Sequence, residues 1–158
     1  MRLAKALLES GAAEEAAINY EACLSGPFAS DNEIKFSAAQ AFIDSGRFAR
    51  AVQHLEEIRH NNPQFRSEQL GILLARALAG AGRHDEAQAE FEQTVQHFGS
   101  FETKTEYAIW ALTQGKASIA EPLLTDINDT MQRWHRHSHE LNRPILQRLA
   151  AAQTKANQ

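Results

Sequence analysis

The chain has 158 residues, is 43% hydrophobic and 23% charged, and carries one cysteine and a formal net charge of −4. That is the composition of a globular domain, and it excludes a disordered or collagen-like chain and an intramolecular disulfide framework. The acidic balance argues against a nucleic-acid partner, and no run approaches the roughly 18 apolar residues of a membrane-spanning helix.

Taken in chain order, four glycines recur about 34 residues apart: Gly11, Gly46, Gly82 and Gly115. Five residues after each stands an alanine: Ala16, Ala51, Ala87 and Ala120. A large apolar residue comes next at Tyr20, Leu55, Phe91 and Leu124, and then come Cys23, Ile58, Thr94 and Ile127. The apolar residues on either side of each glycine keep a period of 3.6, so each unit reads as two helices joined at the glycine. The first unit, residues 1–28, is short, with Leu3, Leu7 and Leu8 before Gly11. The second, 29–65, carries Ile34, Ala38, Ala41 and Phe42, then Phe48, Ala51, Val52, Leu55 and Ile58. The third, 66–99, carries Leu70, Leu73, Leu74, Ala77 and Leu78; the fourth, 100–136, carries Tyr107, Ala108, Ala111 and Leu112. A ninth helix is predicted over 141–154, where Leu141, Ile145, Leu149 and Ala152 share a face, Asn142 caps the start and Pro144 falls in the first turn. Ser30 with Glu33, Ser67, and Ser118 with Glu121 read as helix starts, while Pro27 and Pro63 fall in connections. No segment reads as a strand.

Chemistry is hard to find in this pattern. If residues 135–139 were helical, His135 and His139 would share a face, but two ligands interleaved with arginines make a poor metal site, and no metal is expected. His54, His60, His84 and His97 read as surface residues, and Cys23 as a small buried one. No nucleophile elbow, phosphate loop or zinc-protease motif occurs, so no catalytic residue and no cofactor is expected. Charge is uneven: residues 131–158 sum to +4 and the remainder to −8. Either the basic tail docks on its own acidic body or it meets an anionic partner.

Ala38, Ala39, Phe42, Gly46, Phe48, Ala51, Leu55 and Pro63 together resemble the tetratricopeptide repeat, as do Leu74, Ala75, Leu78, Gly82, Ala87 and Phe91. The family's early tryptophan is missing; Lys35 and Gly71 stand there, and Ala111 takes the usual aromatic place in the fourth unit. The resemblance implies an all-α, right-handed helical-hairpin solenoid of about four repeats with a C-terminal capping helix. It implies a non-catalytic scaffold that binds a protein segment in a concave groove lined by the first helix of each hairpin. In register, the groove residues are Lys5, Leu8, Phe36, Gln40, Ile43, Asp44, Ile72, Arg76, Ile109 and Leu112. The clustered cations with which one subtype of the family grips a peptide carboxylate are missing. The N-terminal end lacks a cap, which points to a piece of a longer protein or to pairing with another copy. The layout is also similar to the repeat portion of bacterial proteins anchored in the inner membrane. The alternative function is therefore self-association within a membrane-anchored protein, with the repeats in the cytoplasm.

Overall fold

The computed structural model describes residues 2–27 and 30–158, with side chains from residue 11 onward. Nine α-helices lie among the described residues: α1 (Arg2–Leu24), α2 (Asn32–Asp44), α3 (Phe48–Asn61), α4 (Ser67–Gly80), α5 (His84–Phe98), α6 (Phe101–Thr113), α7 (Ala117–Gln132), α8 (Arg136–Leu141) and α9 (Arg143–Ala156). There is no strand among them, and most of the described residues are helical. The chain divides into two compact units, residues 1–90 and 91–158.

The hairpins come from one turn used three times. Gly46, Gly82 and Gly115 all take left-handed backbone angles, with φ of +80°, +80° and +69°. Each turn closes with the same wide hydrogen bond. The N–H groups of Arg47, Arg83 and Lys116 donate to the carbonyls of Phe42, Leu78 and Ala111 at 2.7, 2.9 and 2.9 Å. This pattern satisfies helix-end carbonyls, and only glycine enters it without a Cβ penalty. The alanines five residues on, Ala51, Ala87 and Ala120, are fully buried. Leu55, Phe91, Ile58 and Ile127 complete the repeated core. In the fourth repeat the large and small residues change places: Trp110 and Ala111 are both buried where the second repeat has Ala41 and Phe42. In the register of Leu124 it is Leu123 that is buried.

The first repeat, residues 1–28, departs from the hairpin expectation. Gly11 lies inside α1, which runs unbroken from Arg2 to Leu24. Alanines and glutamates come directly after Gly11, and their helix propensity outweighs the roughly 1 kcal/mol that one glycine costs. Instead of two helices, α1 is one, packed along α2. Among its described side chains Ala17 is buried, and Ala16 is partly covered. Cys23, expected inside, is exposed, because α1 does not fold back at Gly11 to cover that side.

Several helix starts also differ. Asp31 rather than Ser30 caps α2, its carboxylate accepting from the Ile34 N–H at 3.1 Å. Ser100 caps α6 and accepts from the Thr103 N–H at 3.1 Å, a start that the spacing did not mark. Lys116, not Ser118, stands at the cap of α7. Asn142 does stand at the cap of α9, but its amide donates back to the Ser138 carbonyl at 2.8 Å. Pro27 and Pro63 fall between helices, as expected. Within the first unit the ring of Phe48 lies against Gly80, where an added Cβ would collide with it.

In the second unit α9 packs along α6, the first helix of the fourth hairpin. Leu149 and Ala152 are buried in that contact face, and Ile145 is partly covered. Leu141 is 67% exposed, contrary to the predicted stripe. The helix breaks at Asn142, so Leu141 belongs to α8 and is out of phase with α9.

Candidate functional site

The first helices of the second and third hairpins, α2 and α4, touch one another within the first unit. Phe36, Gln40, Ile43 and Asp44 follow i, i+4, i+7, i+8 spacing on α2, and Ile72 and Arg76 are i, i+4 on α4. Each set therefore shares one helix face. Phe36 is only 7% exposed, since the Phe65 ring meets it edge-on at 6.1 Å and the Arg66 guanidinium lies 5.2 Å from its centroid. Arg66 reaches there from a left-handed backbone, φ 39°, and its charge is held by Glu33 at 3.1 Å. Ile43 and Ile72 are buried, Gln40 and Asp44 are exposed, and Arg76 is partly exposed. The accessible part of this surface is thus polar, on an apolar floor. Ile109 and Leu112, on α6 in the second unit, are partly exposed. Lys5 and Leu8 lie outside the described side chains.

Sequence reasoning missed two polar clusters. His54, expected at the surface, is 5% exposed and stacks on Phe42, with centroids 5.4 Å apart and planes 8° apart. It sits on the buried stripe of Ala51, Leu55 and Ile58, and that spacing was the available signal. Its Nε2 lies 3.5 Å from Glu21 Oε1 and its Nδ1 3.8 Å from Glu57 Oε2. Burial pushes the imidazole below its ordinary pKa, against the pull of the two carboxylates. The Glu21 carboxyl is held below its usual range, chiefly by the hydrogen bond from Arg50 at 2.5 Å. Lys35, where the early tryptophan would stand, buries its stem and brings its amine 3.4 Å from the Glu57 carboxylate.

In the second unit Glu106 is 5% exposed and accepts two hydrogen bonds from Arg148 of α9, at 2.5 and 3.1 Å. Tyr107 stacks on Phe91 and donates to Glu92 at 3.1 Å; burial and the Glu92 charge raise its pKa. His135 precedes α8 at its cap while His139 lies within it, so the two do not share a helix face. Among the described residues no three His, Cys, Asp or Glu side chains converge as a metal set would. No described helix is long and apolar enough to cross a membrane.

These clusters tie helices together, and none aligns a nucleophile with a base. The geometry that recurs is the hairpin itself: a left-handed glycine turn and a buried alanine. A family profile described as tetratricopeptide repeat matches residues 33–100, somewhat under half of the chain and the span of α2 to α5. No curated protein and no solved structure matches the chain. Residues 33–100, from α2 to α5, thus match the tetratricopeptide repeat.

Proposed function

We propose that this chain is a non-catalytic scaffold that holds a segment of another protein against the first helices of its hairpins. The observation that carries the reading is the α2/α4 surface. A buried floor of Phe36, Ile43 and Ile72 presents Gln40, Asp44 and Arg76 to solvent, inside a span that matches a repeat family typically used for protein–protein contact. The helices hold that surface in place before a partner arrives, so little ordering entropy is lost on the scaffold's side. Ile109 and Leu112 offer a similar pair on α6.

The test is selection of binders from a random dodecamer peptide library, then mapping with a photo-crosslinking amino acid. Placed at Gln40, on the proposed surface, it should capture the selected peptides. Placed at His60, exposed on α3, it should not. Selected peptides that attach at His60 and not at Gln40 would show that binding happens elsewhere.

A further inference from the structure

We infer that the segment held on the α2/α4 surface carries an acidic side chain that pairs with Arg76. The inference rests on the groove reading above and names the chemistry of the partner.

Almost every cation in this part of the chain is paired. Among the described side chains of the first unit, Lys35, Arg47, Arg50, Arg59, Arg66 and Arg83 each have a carboxylate within 4.0 Å. Arg76 alone among the lysines and arginines described there has none. Most of the paired cations stand on the second helices or in the turns, where charges knit one helix to its neighbour. Arg76 stands on the inner helix α4, one turn from the buried Ile72, and it is itself partly buried. A guanidinium lodged beside apolar side chains is already partly desolvated. A carboxylate brought to it forms a charge-assisted, bidentate contact at less desolvation cost than on open surface.

The neighbouring helix makes the choice of sign more specific. Asp44, exposed on α2, also lacks a cation partner among the described residues and would repel an acid placed beside it. The partner's acid is therefore directed to α4 and not α2. An apolar neighbour on the partner would rest over the small exposed parts of Ile43 and Ile72, on the two helices that touch.

The experiment uses the full chain and the same dodecamer library. The wild type should select peptides with Asp or Glu at one shared position next to an apolar residue. Changing that acid to its amide in the best selected peptide should weaken binding about tenfold. Arg76→Gln should remove the acidic preference, Arg76→Lys should keep it with lower affinity, and Arg76→Glu should select Lys or Arg at that position instead. Helicity and melting temperature should match wild type in all three variants, since Arg76 has no carboxylate partner among the described residues. Peptides that crosslink at Gln40 but show no acidic preference, or a preference that Arg76→Glu leaves unchanged, would overturn this inference while leaving the groove intact. If no selected peptide crosslinks at Gln40, the groove reading fails and this one with it.

Discussion

At the scale of single residues, His54 couples stability to pH. It is neutral when buried against Phe42, and burial outweighs the attraction of Glu21 and Glu57. Arg50 adds repulsion, and Lys35 neutralises part of the Glu57 charge. Because the folded pKa lies below the ordinary imidazole value of 6.5, the unfolded chain binds the extra proton first as pH falls. Stability is full above about pH 7 and declines as pH drops through the unfolded value toward the lower folded one. The melting temperature should therefore fall by a few degrees between about pH 7 and pH 5, and His54→Gln should flatten that part of the curve. Glu21 contributes a separate loss in more acid solution, because its depressed carboxyl pKa stabilises the fold above 4.5 and ceases to do so as that group protonates. A curve unchanged by His54→Gln would show that the imidazole is not desolvated as described. His54 was legible as a member of the apolar stripe, but its residue type pointed outward; a stacked phenylalanine and two carboxylates from different helices are not written in local spacing.

At the scale of elements, identical glycines behave differently according to the residues after them. Gly46, Gly82 and Gly115 precede a basic residue whose N–H closes the turn, and an alanine four residues later lets the second helix come close. Gly11 has the same alanine spacing, but a helix-forming run from Ala12 to Ala17 begins directly after it. Nothing lies within 4 Å of a Cβ added at Gly11, and its backbone is helical. Gly11→Ala should raise stability by about 0.5–1 kcal/mol, through higher helix propensity. Gly46→Ala should lower it by about 1–2 kcal/mol, because φ of +80° is strained for any residue with a Cβ. Chemical denaturation of both variants checks the contrast; a loss at Gly11 matching that at Gly46 would restore the turn there. The three true turns and their buried alanines were legible from spacing. The caps were less so, because Asp31 and Ser30 are adjacent candidates and only the geometry of the Ile34 N–H separates them.

At the scale of the whole chain, the second unit can be watched by itself: both tryptophans, Trp110 and Trp134, lie in residues 91–158. The C-terminal helix was legible as an amphipathic stretch. The break at Asn142 that puts Leu141 in solvent was not, nor was the helix on which α9 rests, because neither leaves a mark in local periodicity. That helix is α6, held through Leu149, Ala152 and the pair of Arg148 with the buried Glu106. Truncation after Gln132 removes α8 and α9 together. It uncovers the α6 face and leaves Glu106 without its guanidinium. It also deletes most of the basic C-terminal segment and leaves a strongly acidic chain. Burying Leu149 is worth about 1.5–3 kcal/mol, and losing it should lower the melting temperature of the second unit by several degrees. The ion pair adds less than a buried one would, since Arg148 remains 45% exposed. Trp110 fluorescence should therefore shift to lower temperature in the truncated chain. Arg148→Ala in the full chain should move it in the same direction by a smaller step. An unchanged Trp110 transition after truncation would mean that α9 contributes nothing to the stability of α6, and that the basic C-terminal segment is free to serve an anionic partner instead.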